Sequence, residues 1–427
     1  MTSQAAPDDS PDAEVDQSLR QADLADIHDF ASKLTQESVI GTLRAYVSMQ
    51  SQRRQGASEG AQASLGHAPL SINLDLTTAC NYACDHCVDM EILNQGIRFD
   101  HDHLLDSITN LAAHGLRSII LIGGGEPTVY PRFVEAVRHI KQLGLALGIV
   151  SNGSRLDRIL QVSEVFDEGD WLRLSLDSGT DATFQAMHKP RKRIKLEQIC
   201  AGVPPIKRAN PRLSIGFSYI ITWKDCTANE TTIYENVDEM VEAAALAKTY
   251  MFDYISYKPF LVRTGVNNSE VVGIPKGDDR LAAVLEQIQS NLDRARLLAD
   301  ETFQVVESTN LRVLQRGAAA EYTNQPRTCH MTFFRHVLSP LGVYSCPVYR
   351  KVPAARIGGK DLYADPAATE VVSQGTLRIL DTFDASSECR AVTCLYNHAN
   401  WFIEDLVQHP EKLQDLRAIP DRNDYFL

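Results

Sequence analysis

Segments with the periodicity of strands alternate with helix-like segments between Ser71 and about Phe260. The six strand-like segments are SINLDLTT, SIILIGGG, LALGIVSN, WLRLSLD, LSIGFSYII and YISYKPF. Amphipathic segments that predict helices lie between them, at about 102–114, 132–143, 156–166, 196–208 and 234–248. This alternation predicts an α/β fold with a parallel sheet, a partial (βα)6 TIM-like barrel over residues 71–262. Functional side chains in such a fold gather at the carboxyl ends of the strands.

The segments around this region predict a simple domain order. Residues 1–22 are acidic and poor in large apolar side chains, which predicts a disordered tail. Apolar residues recur at helical spacing from Leu24, which predicts an N-terminal helical extension over 23–52. The remaining predicted segments are a linker at 53–70, a helical and strand connector at 263–325, a small C-terminal domain at 326–400 that contains four cysteines, and a C-terminal helix and tail at 401–427.

Composition narrows the classes of function. A formal net charge of -13 disfavours nucleic acid as a partner, because affinity for phosphate backbones comes from clustered Lys and Arg. The N-terminus lacks the pattern of a secretory signal, and no stretch is long and apolar enough to span a bilayer, so we expect a cytoplasmic protein without a membrane partner. The nine cysteines are an odd number, which favours metal binding or catalysis over a disulfide framework.

Three cysteines follow the first predicted strand in the order Cys80-Asn-Tyr-Ala-Cys84-Asp-His-Cys87. This C-x3-C-x2-C spacing directs three thiolates toward one metal centre. An incomplete zinc site is the alternative, but structural zinc sites have four ligands and show paired C-x2-C elements.

The three-cysteine loop resembles the defining motif of the radical S-adenosylmethionine (SAM) superfamily in its spacing and in its place after the first strand. The resemblance implies that Cys80, Cys84 and Cys87 bind a 4Fe-4S cluster whose open iron chelates SAM. An electron passed into the sulfonium then releases a 5'-deoxyadenosyl radical. The family usually has an aromatic residue before the last cysteine, and here His86 takes that place, which we expect to stack on adenine.

Three further strand ends resemble SAM-binding segments of the family. The segment after the second strand is similar to the family's GGEP motif, which holds the methionyl amino group. The third and fourth strands end in hydroxyl, amide and carboxylate groups suited to a ribose or a methionyl carboxylate, with ordinary caps and turns as the alternative. The expected cofactor-binding residues, with His86, are Gly124, Gly125, Glu126, Pro127, Ser151, Asn152, Ser175 and Asp177.

Four more cysteines lie beyond the predicted barrel, at Cys329, Cys346, Cys389 and Cys394. Four sulfur ligands can hold zinc or an iron-sulfur cluster, and spacing alone does not decide between them. After a radical SAM core the arrangement resembles a twitch domain, the shorter relative of the SPASM domain, which implies a second, auxiliary 4Fe-4S cluster. Three residues separate Gly342 from Cys346, where the family's half-motif has four.

Two residues near strand ends have candidate roles. Cys226 follows the fifth strand, and some radical SAM epimerases use such a thiol to donate a hydrogen atom; an ordinary loop cysteine is the alternative. Lys258 closes the sixth strand, where it is placed to contact substrate or SAM.

The resemblance implies an enzyme that abstracts a hydrogen from a small-molecule substrate. We expect oxidation or epimerisation of a small polar metabolite, an aminocyclitol or a sugar, in a biosynthetic pathway. A reductase, flavodoxin or ferredoxin would be the electron donor. The alternatives are a maturase of ribosomally made peptides, and a non-catalytic iron-sulfur or zinc scaffold. Fold alone does not select among them.

Overall fold

The computed structural model describes residues 29–56, 68–228, 230–263, 270–272 and 280–427. A ten-stranded sheet forms its centre, in the order β7-β6-β5-β4-β3-β2-β1-β8-β9-β10. These strands are β1 Ser71–Leu74, β2 Ser118–Leu121, β3 Ala146–Ser151, β4 Trp171–Ser175, β5 Ser214–Ile221, β6 Tyr254–Pro259, β7 Gln304–Glu307, β8 Arg335–Ser339, β9 Gly342–Tyr344 and β10 Arg356–Gly358. Two short hairpins, Thr227–Ala228 with Thr231–Thr232 and Leu261–Arg263 with Glu270–Val272, stand apart from it.

Helices lie on the outside of the sheet, and helices also form the chain segments before and after it. They are α1 Phe30–Leu34, α2 Ile40–Arg54, α3 His101–Ala113, α4 Phe133–Gln142, α5 Leu156–Leu160, α6 Asp181–His188, α7 Leu196–Cys200, α8 Val203–Ala209, α9 Met240–Thr249, α10 Arg280–Arg296, α11 Thr309–Gln315, α12 Ala319–Thr323, α13 Met331–Phe334, α14 Thr369–Thr382, α15 Ala385–Glu388 and α16 Asn397–Gln408. No helix among the described residues is both long enough and apolar enough to cross a membrane.

The predicted parallel α/β barrel is confirmed. The six predicted strands are observed as β1 to β6, and each of them pairs in parallel with the next one along the chain. The structure adds a seventh parallel strand, β7, next to β6. It also places β8 in parallel beside β1, with Ser71 opposite Arg335. The C-terminal segment expected as a small separate domain therefore continues the barrel sheet through β8, β9 and β10.

The helices after β4 differ from the prediction. The expected helix at 196–208 is two helices, α7 and α8, because the second begins afresh with Pro204 and Pro205 in its first turn, where the missing N–H groups are tolerated. Helix α6 was not predicted. It begins at the N-cap Thr180, whose side chain accepts a hydrogen bond from Thr183 N, and it ends at His188.

The two ends of the described chain pack together. Helices α1 and α2, the observed part of the predicted helical extension, share a buried apolar cluster with α16. Beyond α16, Ser118 at the start of β2 donates a hydrogen bond to the Tyr425 carbonyl, and Phe426 packs on Trp171 at the start of β4. The C-terminal residues thus close the amino-terminal end of the barrel. The predicted acidic tail and most of the predicted linker lie outside the described residues.

Candidate active site

The three-cysteine loop is held at the carboxyl end of β1 by hydrogen bonds from neighbouring loops. The backbone N–H of Cys80 donates to Asn94 Oδ1 at 3.0 Å. Asn81 accepts from the Asn152 amide at 2.8 Å and donates to Ser154 Oγ at 2.8 Å. Because Asn152 and Ser154 follow β3, these bonds fix the loop against a second strand end.

Cys84 sits beside a histidine that sequence reasoning missed. Its Sγ lies 3.3 Å from His188 Nδ1, and His188 is the last residue of α6. Burial, and then the neighbouring Cys87 and Cys80, raise the pKa of the Cys84 thiol, as expected where three sulfurs converge. The end of α6 at His188 left no motif in the sequence; the N-cap at Thr180 was the available signal for the helix.

Asp177 pairs with two imidazoles beneath the loop. It is fully buried, and its Oδ2 lies 3.3 Å from His86 Nε2 and 3.4 Å from His188 Nε2. Its Oδ1 accepts the backbone N–H of Ile220 at 2.7 Å. Burial alone would raise the pKa of Asp177, but the imidazoles of His188 and His86 hold it below its ordinary value. Oδ1 therefore holds a neighbouring backbone group, whereas the buried Oδ2 faces the two imidazoles without a hydrogen bond among the described residues.

The glycine segment after β2 lies directly against the cysteine loop. A Cβ on Gly125 would stand 2.2 Å from the carbonyl oxygen of Ala79, the residue before Cys80. The backbone N–H of Glu126 donates to that same oxygen at 2.9 Å. Gly124 has a φ of 68°, a left-handed conformation that favours glycine. The glycines are thus required for the close approach of two loops.

Glu126 links the ends of β2 and β3. Its carboxylate accepts from Thr128 N at 3.0 Å, from Ser151 Oγ at 2.8 Å and from Asn152 N at 2.7 Å. Burial raises its pKa, although these hydrogen bonds oppose that rise. Pro127 follows it in a buried single turn. The predicted residues of β2 and β3 therefore lie together, while Ser175 ends β4 further along the sheet.

The four C-terminal cysteines converge as well. Burial, and then Cys329, Cys394 and Cys346, raise the pKa of Cys389 well above its ordinary value. Tyr349 OH lies 3.6 Å from Cys389 Sγ, and the side-chain amide of Asn400 lies 3.9 Å from Cys329 Sγ. None of these four cysteines forms a disulfide bond, and all four residues are half-buried. Cys329 precedes α13, Cys346 follows β9, and Cys389 and Cys394 lie between α15 and α16, so three separate segments contribute to what fits one four-sulfur site.

A cavity of about 520 Å³ joins the two regions. His86 and Val88, the neighbours of Cys87, line it, and so do all four C-terminal cysteines. Arg173 on β4 and Lys258 on β6 are also part of its wall. The three-cysteine loop therefore reaches this space through His86 and Val88, and the space has the size of a small substrate.

Arg350 was also missed by sequence reasoning. Its guanidinium donates two hydrogen bonds of 3.0 Å to Asp75, just after β1, and lies 3.6 Å from Asp89 Oδ1. Asp89 in turn accepts the backbone N–H of Gly124 at 3.2 Å. Only the folded chain brings these residues together, since Arg350 follows Cys346 and the acids flank the first cysteine loop.

Cys226 is buried after β5. Its Sγ lies 3.4 Å from the backbone nitrogen of Trp223, and burial raises its pKa to about 11. It is not among the described residues that line the cavity. Its assignment as a hydrogen-atom donor stays a prediction.

The residues of the first loop suit an iron-sulfur cluster and SAM. Three cysteines on one loop, none of them in a disulfide bond, supply thiolate ligands of the kind that iron-sulfur clusters require. Beside them, the buried His86 Nδ1 has no hydrogen-bond partner among the described residues, which is unusual for a buried polar atom and suits contact with a ligand.

Comparison with known proteins points to the same chemistry. Residues 74–247 match the family model described as Radical SAM superfamily. A SAM-dependent nucleotide dehydratase of Selenomonas ruminantium is 26% identical over 204 residues, 45% of this chain and 70% of that protein. A protein of the same name from a Thermoplasmatales archaeon is 36% identical over 114 residues, and there the chain spans only 26% of its own length and 39% of the relative's.

A solved structure shares the fold. SuiB of Streptococcus suis, determined with S-adenosylmethionine bound, superposes with a TM-score of 0.50 at 12% identity, over 72% of this chain and 68% of that one. At this identity the likeness concerns the fold alone, and it agrees with the partial barrel described above.

Proposed function

We propose that the chain is a radical SAM enzyme that oxidises or epimerises a carbon of a small polar metabolite, such as a sugar or an aminocyclitol; the match of residues 74–247 to the Radical SAM superfamily model supports this. The observation that carries the proposal is the single cavity bordered by His86 of the three-cysteine loop and by the four C-terminal cysteines. A substrate in that space would lie beside His86 and the four C-terminal cysteines.

The residues of the first loop would hold the cofactors. Cys80, Cys84 and Cys87 would ligate the 4Fe-4S cluster, which together with SAM supplies the 5'-deoxyadenosyl radical when both are bound. Glu126 keeps Ser151 and the Asn152 backbone in place at the end of β3. Asp177 holds the imidazoles of His86 and His188 against the loop.

Cys329, Cys346, Cys389 and Cys394 would hold the auxiliary 4Fe-4S cluster. Arg335 supports this assignment, because its guanidinium stacks on the Tyr396 ring at 4.9 Å and its charge lowers the pKa of Cys394 against the effect of burial. A cation at this position stabilises thiolates. An electron acceptor beside the substrate suits a two-electron oxidation.

The test is reductive cleavage of SAM by anaerobically reconstituted protein. We expect wild type to form 5'-deoxyadenosine on addition of SAM and dithionite. The Cys80→Ala, Cys84→Ala, Cys87→Ala triple variant should form none while it retains about four irons in the auxiliary site. Cys200→Ala, which removes a thiol from the apolar core, is the matched control and should remain active. Wild type that forms no deoxyadenosine would favour the scaffold alternative instead.

A nucleotide is a second candidate substrate, because the two relatives described above are named nucleotide dehydratases. The conversion of a nucleotide to a dehydrated product, analysed by mass spectrometry, would favour this candidate over oxidation of a sugar or an aminocyclitol. A peptide maturase is the third. A modified peptide, detected by mass spectrometry as the product of a labelled peptide substrate, would favour the maturase over the other two candidates.

A further inference from the structure

Two cations face the cavity from neighbouring parts of the barrel wall. Arg173 lies on β4 and Lys258 on β6, with β5 between them. Lys258 Nζ donates a hydrogen bond to Ser218 Oγ on β5 at 2.9 Å. Among the described residues no carboxylate pairs with either cation, and Arg173 Nε is buried without a hydrogen-bond partner.

The surroundings hold these cations in place without neutralising them. The Arg173 guanidinium lies 5.4 Å from the centre of the Trp171 ring. Tyr254 packs its ring over Gly216, where a Cβ would stand 2.1 Å from the ring, and so fills the wall between the two strands. The negative charge of Asp177 acts on Lys258 without forming an ion pair with it; Asp177 Oδ1 accepts the Ile220 N–H, and its Oδ2 faces His86 and His188.

The positive charges of Arg173 and Lys258 repel each other on this half-buried part of the cavity wall. Burial, and then the charge of Arg173, lower the pKa of Lys258 well below its ordinary value. Buried charges in proteins are normally paired, because the cost of removing an ion from water is otherwise not offset. An anion bound between the two cations would supply the missing partner.

Arg335, the third cation on the cavity wall, has a different role. It lies against Tyr396 and acts on Cys394, so it belongs to the four-cysteine site. The two barrel cations face the middle of the cavity instead.

We propose that Arg173 and Lys258 form an anion subsite that holds a carboxylate or phosphate group of the substrate in the cavity lined by His86 and the four C-terminal cysteines. This inference rests on the proposed function and narrows it. An acidic or phosphorylated metabolite fits the subsite, whereas a free aminocyclitol, itself a cation, would be repelled. Arg and Lys are the side chains that proteins use to bind both anions.

The methionyl carboxylate of SAM offers the same chemistry, so the experiment must separate the two sources. The probe is inorganic phosphate, followed by its ³¹P relaxation in reconstituted, dithionite-reduced protein. Reduced clusters are paramagnetic, so phosphate bound in the cavity relaxes faster than free phosphate. S-adenosylhomocysteine, which carries the same carboxylate and is not cleaved, serves as the competitor.

We expect wild type to enhance the relaxation saturably. Arg173→Gln and Lys258→Met should weaken phosphate binding by about tenfold or more, as expected for a charged hydrogen bond. Lys258→Arg, which keeps the charge, should restore most of the binding. Arg138→Gln, which removes an exposed guanidinium paired with Glu164 on the outside of the barrel, should behave as wild type.

Two results would overturn the subsite. One is no enhancement in wild type, or equal enhancement in all variants. The other is complete displacement of phosphate by S-adenosylhomocysteine, with both variants losing affinity for that competitor to the same degree; the cations would then belong to SAM. Deoxyadenosine formation by wild type is measured separately, so that failure of the radical chemistry and failure of the subsite give different outcomes.

Discussion

Arg350 and Asp75 form a buried bidentate pair, with two hydrogen bonds of 3.0 Å between residues 275 positions apart. The pair connects the loop after Cys346 to the end of β1, from which the first cysteine loop departs. Asp89, on the other side of that loop, approaches the same guanidinium. One arginine therefore ties the two predicted cluster sites into a single unit.

Removing this arginine should destabilise the protein strongly. Arg350→Met leaves the buried Asp75 carboxylate without its partner, which costs about 3–5 kcal/mol in comparable buried pairs. The measurement is the free energy of unfolding in urea. Arg356→Met, which removes an exposed guanidinium, is the control and should change that free energy by less than about 0.5 kcal/mol. Equal effects of the two substitutions would contradict the interpretation.

The stability of the fold should depend on the ionisation of Asp75. Burial raises its pKa to about 6, above the value of about 3.9 for an unfolded chain. The folded state therefore binds the proton more tightly, so the contribution of Asp75 to stability is present at low pH and is lost as the pH rises through about 6. We expect the difference in unfolding free energy between wild type and Asp75→Asn to fall from pH 5 to pH 7. A rising difference would show that Arg350 outweighs burial.

Gly125 should be essential for the first cluster site. In Gly125→Ala the new methyl group would meet the Ala79 backbone at 2.2 Å, so the cysteine loop must shift. We expect the variant to fold but to lose iron from the first site and deoxyadenosine formation with it. Gly41→Ala, in an exposed part of α2 with no atom within 4 Å of the added Cβ, is the control. Full iron content in Gly125→Ala would refute this role.

We expect Asp177 to stabilise the three-cysteine loop rather than to bind SAM directly. Asp177→Asn keeps the acceptor for Ile220 N, and asparagine tolerates the left-handed φ of 49°. It removes the negative charge that His86 and His188 face. We expect a loss of unfolding free energy with less than a tenfold change in the dissociation constant of SAM. A large loss of SAM affinity at unchanged stability would instead support the contact with SAM that the sequence predicted.

The role of the Cys226 thiol should distinguish an epimerase from an oxidase. With a pKa raised to about 11, the thiol stays protonated at neutral pH, so iodoacetamide should alkylate it slowly, and faster as the pH rises toward that value. Cys226→Ala in an epimerase that uses the thiol would form deoxyadenosine without completing epimerisation. An oxidase would be largely indifferent. Rapid alkylation at pH 7 would show that the thiol is more accessible than its burial indicates.

The parallel barrel could be predicted because its signals are local. The six strand segments carry their own apolar pattern, and Cys80, Cys84 and Cys87 are spaced within one loop. His188 and Arg350 could not be predicted, because each meets its partners only after distant strands pair. The pairing of β8 with β1 could not be predicted either, because the sequence of Arg335–Ser339 does not indicate which strand it pairs with.

The pairing of β1 with β8 also bears on how the protein is made. Residues 335–339 are synthesised only after more than half of the chain that follows β1. Until then, one edge of β1 has no neighbouring strand. An open strand edge is a site for wrong pairing, so the nascent chain is exposed to aggregation for most of its synthesis. We expect the first metal centre to be inserted only after translation ends, and slower expression at low temperature to improve the yield of protein competent to receive it.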